Sequence, residues 1–241
     1  MRKIAISDIH GCAETFRALL EQQVQLSPHD ELYLLGDYVD RGPDSKGVLD
    51  HILQLKQAGY QVHCLKGNHE EMMYNAAHDP REVEMWLYNG GKETLLSFGL
   101  DSPDQLPATY LDFIQAMDFY HEVDKFILVH AGLNFTGPET TDREGDGFLW
   151  RLHNPLTDRE SMLWIRWWYD HINWDWLRDR MIIHGHTPIE TDDISEMFLA
   201  LNEDRVLDID NGCFAKYREG LGQLCAFDMT HRRLYFQENI D

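Results

Sequence analysis

Residues 3–11 read Lys3-Ile4-Ala5-Ile6-Ser7-Asp8-Ile9-His10-Gly11, a short apolar run that ends in two groups able to bind a metal ion. The same arrangement recurs four times along the chain. Leu32-Tyr33-Leu34-Leu35-Gly36 leads into Asp37, Val62-His63-Cys64-Leu65-Lys66-Gly67 into Asn68, Phe126-Ile127-Leu128-Val129 into His130, and Met181-Ile182-Ile183 towards His186. Short, nearly continuous apolar runs of this kind fit strands buried on both faces. Ligands of open α/β sheets gather outside the carboxyl ends of strands, where these six side chains would converge from five strands.

Helical spacing separates the first three runs. Ala13, Phe16, Leu19, Leu20 and Val24 repeat at that spacing, and residues 45–58 form a second helix that Gly59 ends. The alternation predicts an α/β fold with crossover helices. Residues 69–117 read as mostly helical, interrupted by Pro103 and Pro107. Residues 131–160 carry little periodicity and several Gly and Pro, so a long loop is expected there, within a lid region around 131–180. Residues 206–209, 223–227 and 232–236 read as a strand meander, which predicts a second sheet packed on the first. The expected whole is one domain over 1–241, with two mixed sheets packed as a β-sandwich and flanked by helices.

The formal net charge of −21 repels nucleic acid and anionic membranes at long range, so neither is expected as a partner. No apolar run is long enough to span a bilayer. Met1-Arg2-Lys3 runs straight into a strand without a signal-peptide core, which points to the cytoplasm. Four cysteines without CxxC spacing suggest neither a zinc knuckle nor a redox pair, and Cys64 and Cys225 fit as small buried hydrophobes. Nothing in the sequence speaks to oligomeric state.

The six candidate ligands suit two adjacent divalent ions. Asp8 and His10 can reach one ion from a single turn, while Asn68, His130 and His186 can hold the other. Asp37, with two carboxylate oxygens, can bridge them. A mixed oxygen and nitrogen set without thiolate suits Mn²⁺, Fe or Zn²⁺ better than Ca²⁺. Two metals about 3.5–4 Å apart clamp the attacking and leaving oxygens of an in-line displacement.

These residues carry a resemblance. Asp8-Ile9-His10-Gly11, Gly36-Asp37-Tyr38-Val39-Asp40-Arg41-Gly42 and Gly67-Asn68-His69-Glu70 resemble the three signature motifs of the phosphoprotein phosphatase family. Val129-His130-Ala131-Gly132 and Gly185-His186-Thr187 resemble its later metal-binding histidines, in family order over roughly residues 4–212. Trp86-Leu87-Tyr88-Asn89-Gly90-Gly91 and Leu163-Trp164-Ile165-Arg166 are similar to segments of the short bacterial and phage serine/threonine phosphatases. The resemblance implies a metallophosphoesterase fold, two divalent ions with Mn²⁺ foremost, and a phosphoprotein or phosphopeptide substrate, with phosphotyrosine as an addition. His69 would protonate the leaving oxygen while Asp40 orients its ring. Arg41 and Arg166 would fork onto phosphate oxygens, with Arg151 a rival for the second place. A hydroxide held on the metals, rather than a side chain, would be the nucleophile.

Two other readings remain. Symmetrical diadenosine tetraphosphate hydrolases of the same wider group usually carry alanine where this chain has Asp40, and aspartate where it has Glu70; both differences favour the phosphatase. A metal-free scaffold is the non-enzyme reading, against which stand the complete ligand set and His69. His184 is expected in the ligands' surroundings rather than among them, and His63 and His121 as structural residues. Six of seven tryptophans (Trp150, Trp164, Trp167, Trp168, Trp174, Trp176) are expected to pack the lid onto the sheet.

Overall fold

The computed structural model describes residues 1–136 and 153–241. In chain order these form β1 (Lys3–Ile6), α1 (Ala13–Ala18, prolonged by a π-helical turn Leu19–Val24), β2 (Glu31–Leu34), α2 (Ser45–Gln57), β3 (Gln61–Cys64) and α3 (Asn68–His78). Then come α4 (Val83–Trp86), α5 (Lys92–Phe98), α6 (Ala108–Gln115), β4 (Tyr120–Val123), β5 (Phe126–Val129), α7 (Arg159–Trp164) and α8 (Trp174–Leu177). The chain closes with β6 (Met181–His184), α9 (Thr191–Asp204), β7 (Val206–Asp208), β8 (Gln223–Asp228) and β9 (Arg233–Glu238).

The strands form two mixed sheets, in orders β3-β2-β1-β8-β9 and β4-β5-β6-β7. Within the first, β1, β2 and β3 run parallel; within the second, β5, β6 and β7 do. Side-chain alternation explains how they pack. Ala5, Tyr33, Leu35, Leu128, Ile183, Leu207, Cys225 and Phe227 share one cluster between the sheets. Their strand neighbours point the other way: Ile4, Ile6, Leu32, Leu34 and Ala226 pack with α1, α2 and α3, while Ile127, Val129 and Ile182 pack with Met162, Trp168 and Leu177. This is the helix-flanked sandwich with strands apolar on both faces.

The C-terminal strands depart from the expected meander. β7 pairs parallel to β6, whereas the β8–β9 hairpin adds antiparallel to β1 and so extends the first sheet. Alternation marks a strand and its faces but not its partner. Helix α9, which separates β6 from β7, escaped the sequence reading although its acidic first turn and the seven-apart Ile194 and Leu201 were visible signals. No helix among the described residues is long and apolar enough to cross a membrane.

The lid region is only partly a loop, since α7 and α8 lie within it; residues 137–152, with Trp150 and Arg151, fall outside the described residues. Trp168 does pack inward: its indole covers Gly132, where a Cβ would overlap it, and its Nε1 donates to the Ala131 carbonyl at 3.2 Å. Trp176 meets the Phe135 ring edge to face, with centroids 5.6 Å apart. Trp164, Trp167 and Trp174, however, are 43%, 87% and 48% exposed, contrary to the packing expectation. Trp164 and Trp174 sit on α7 and α8, helices too short to bury more than one narrow face, and Trp167 lies in the connection between them at φ +54°.

Candidate active site

All six predicted ligands lie just beyond strand ends on the same edge of the sandwich, and all are buried. Asp8, His10, Asp37 and His186 have φ between +27° and +76°, a region non-glycine residues enter at a cost. The neighbouring loops hold them there: His10 N donates to the Asp37 carbonyl at 2.9 Å, Gly11 N to Tyr38 at 2.8 Å, and Gly185 N to His130 at 2.8 Å.

Asp37 stands at the centre. Its Oδ2 is 3.5 Å from His10 Nε2 and 3.9 Å from His69 Nε2, while its Oδ1 is 3.4 Å from His130 Nε2. Each oxygen thus faces a separate donor group, one of His10 and His69, the other of His130 and His186. Asn68 Oδ1 joins the second group, 3.0 Å from His130 Nε2 and 3.1 Å from His186 Nδ1. Asp8 Oδ2 accepts from Ser7 Oγ and from His186 N. Asp8 Oδ1 is buried without a hydrogen-bond partner, as is His186 Nε2.

The electrostatics match a site for cations. Burial, with Arg41 and His69, pushes the His10 pKa well down; burial lowers that of His130, and burial with His130 takes His186 to about 2. Neutral imidazole is the form that ligates metal. Burial tends to raise the Asp37 pKa, but the four surrounding histidines outweigh it and keep the carboxylate ionised. Burial and neighbouring carboxylates raise Asp8, and burial raises Asp210 to about 7. Buried carboxylates crowded around neutral histidines, two of whose polar atoms lack partners, fit divalent ions.

Beside this centre, His69 Nδ1 lies 2.7 Å from Asp40 Oδ2. Burial opposes a charged His69 ring, but Asp37 and Asp40 overcome it and raise its pKa. The Arg41 fork reaches 3.0 Å from both His10 Nε2 and His69 Nε2, over the Phe214 ring at 4.6 Å. Arg166 stands on the exposed rim, donating to Thr187 Oγ1 at 3.0 Å next to His186. Arg151 lies outside the described residues. His184 bonds Tyr169 and packs against Trp168, while His63 stacks on Tyr33 and His121 meets that ring edge on.

Sequence reasoning missed several supporting residues. Glu70 accepts from the backbone N–H groups of Asp37, Tyr38, Val39 and Gly67, at 2.8–3.3 Å. Ser7 holds Asp8, and Gly185 lacks a Cβ that would overlap both. Asp208 ends β7 and Asp210 follows it as Asp8 follows β1, a repeat of the same strand-then-acid signal that could have found them.

The calcineurin-like phosphoesterase family model matches residues 1–210. The chain is 34% identical over 131 residues to the symmetrical bis(5'-nucleosyl)-tetraphosphatase of Buchnera aphidicola subsp. Acyrthosiphon pisum, covering 54% of this chain and 43% of that protein. The enzyme of the same name from Nitrosospira multiformis is 33% identical over 129 residues, 54% of this chain and 42% of that one. The chain therefore spans less than half the length of these curated relatives. Among solved structures, a Saccharomyces cerevisiae protein serine/threonine phosphatase superposes with a TM-score of 0.64 at 13% identity, covering 100% of this chain and 81% of that one. A cold-active protein tyrosine phosphatase reaches 0.64 at 17% identity, covering 99% and 79%. At these identities the likeness is one of fold.

Proposed function

The chain belongs to the calcineurin-like phosphoesterase family, and from that premise we propose a phosphomonoesterase that removes phosphate from phosphoserine or phosphothreonine in proteins, with phosphotyrosine as a further substrate. The observation that carries the substrate class is the 2.7 Å contact between His69 Nδ1 and Asp40 Oδ2. An alkoxide leaving from serine is strongly basic and needs a proton as the bond breaks. His69 is the buried group able to deliver it, and Asp40 fixes the ring so that Nε2 faces the reacting side.

The donor set fits two divalent ions, with Asp8, His10 and Asp37 for one and Asp37, Asn68, His130 and His186 for the other. Mn²⁺ is the first choice and Fe or Zn²⁺ the others. When bound, such a pair supplies charge to the phosphoryl oxygens and lowers the pKa of water. The protein's own groups do the rest. Arg41 offers a planar fork whose two ends reach His10 and His69, a group suited to gripping two oxygens of one phosphate. One lone pair serves one partner, so the Arg41 fork would be free for phosphate oxygens when His10 Nε2 is otherwise engaged and His69 Nε2 carries its proton. Arg166 offers a second cation from the rim.

A second reading is hydrolysis of symmetrical dinucleoside tetraphosphates. The names of the curated relatives support it more directly than they support a phosphoprotein substrate. It asks less of His69, because a nucleotide leaving group is far less basic. The deciding experiment compares kcat/KM for phosphoserine, phosphothreonine and phosphotyrosine peptides with that for diadenosine tetraphosphate, in wild type and in Asp40→Ala. The phosphoprotein reading expects peptides to be preferred and Asp40→Ala to cut peptide turnover more than dinucleotide turnover. Dinucleotide cleavage far faster than every phosphopeptide would replace it with the second reading.

A further inference from the structure

The segment Trp86-Leu87-Tyr88-Asn89-Gly90-Gly91 supplies none of the residues assigned above to metal or phosphate, yet it packs against Asp40 and Arg41. Trp86 is fully buried, and its indole Nε1 lies 3.1 and 3.0 Å from Asp40 Oδ1 and Oδ2. Gly91 is seated against the indole ring, and any Cβ there would overlap it. At the turn, Gly90 has φ +108°, and its carbonyl accepts the backbone N–H of Arg41 at 3.2 Å. A Cβ on Gly90 would fall 2.8 Å from that nitrogen. At the third residue of the following helix, Thr94 donates its hydroxyl to Asp40 Oδ1 at 2.6 Å, and Asp40 N in turn reaches Thr94 Oγ1 at 2.9 Å.

Two donors, before and after one glycine turn, therefore close on a single carboxylate that sits at φ +72°. A carboxylate left in that conformation without partners could swing away from the histidine. Thr94 occupies one oxygen and the indole straddles both, which aims Oδ2 at His69. We propose that Trp86 and Thr94 are positioning residues for proton delivery: they act through Asp40 on His69, and the glycine turn exists to bring them together. This rests on the reading of His69 as the acid.

The test uses the metal-loaded protein with an alkyl substrate, a phosphoserine peptide, and an aryl one, 4-nitrophenyl phosphate, whose leaving group needs little protonation. Trp86→Phe keeps the ring and removes the donor; Thr94→Val keeps the shape and removes the hydroxyl. Each is expected to lower kcat for the peptide about tenfold, the equivalent of one lost hydrogen bond to a charged group, with the aryl phosphate within about twofold. KM and metal content should stay as in wild type. Equal losses on both substrates in both variants, or no loss in either, would overturn the proposal, and two variants guard against one failing to fold. His69→Asn measured alongside separates the causes. If it discriminates between the leaving groups and the two variants do not, the positioning role falls alone. If it does not discriminate, the acid reading falls and takes the proposal with it.

Discussion

Asp37 shows how much one residue must do here. Its two oxygens face different donor groups, and it holds φ +54° while four histidines stabilise its charge. Asp37→Asn keeps the shape but replaces the carboxylate with one neutral oxygen and one amide nitrogen, so one group keeps only a weaker, uncharged ligand and the other loses its ligand altogether. Elemental analysis should find fewer than two ions per chain in that variant; two would sink the bridging role. His69→Asn makes the opposite prediction. It removes the proposed proton donor but none of the proposed ligands, so both metals should stay while kcat for a phosphoserine peptide falls about 10²–10⁴-fold, the usual share of general acid catalysis. The loss should shrink for 4-nitrophenyl phosphate. These two residues were legible in the sequence because each sits inside a local motif next to a strand end.

At the scale of elements, loops between strands and helices carry the strain, and buried side chains pin them. Glu70, in the first turn of α3, pins the Asp37 loop through three backbone N–H groups and caps its own helix by accepting from Gly67 N. Burial and Asp37 raise its pKa to about 7 despite those donors. Glu70→Gln turns an NH₂ towards N–H groups, so urea unfolding should show a loss of about 1–3 kcal/mol, the penalty for buried donors left unpaired. An unchanged midpoint would mean the loop holds itself. A second tie joins the start of β1 to the turn before β2. Arg2 bonds Asp30 through its backbone N–H and its guanidinium, and Ser27 N donates to the same carboxylate. Burial works against the Asp30 charge, but Arg2 and Ser27 prevail and hold its pKa at about 2. A depressed carboxylate stabilises the fold above its ordinary pKa and loses that contribution as pH falls through the folded value. Asp30→Asn should therefore cost about 1–2 kcal/mol at neutral pH, discounted for partial solvent screening, and the gap should close between about pH 4 and pH 2. A gap that persists at pH 2 would assign the loss to packing instead.

For the whole molecule, the net charge of −21 sets a repulsive field that anionic substrates must cross, screened by salt over about 8–10 Å. Moderate salt should raise kcat/KM for a strongly acidic phosphopeptide; a steep fall would show that Arg41, Arg166 and the metal site govern encounter locally. The α/β class and the strand ends that bear Asp8, His10, Asp37, Asn68, His130 and His186 are legible in the chain because each is written in a few adjacent residues, whereas the pairing of His69 with Asp40, 29 positions apart, was implied only by the family resemblance. The sequence by itself did not determine which sheet takes the C-terminal strands, since a period of two encodes two faces and no partner. Nor did it show that Glu70 reaches Asp37 across 33 positions, or that Trp86 and Thr94 meet Asp40 across 46 and 54. Those contacts depend on hydrogen-bonding groups brought together only when the helices close over the sheet, a consequence of packing that no local pattern in the chain records.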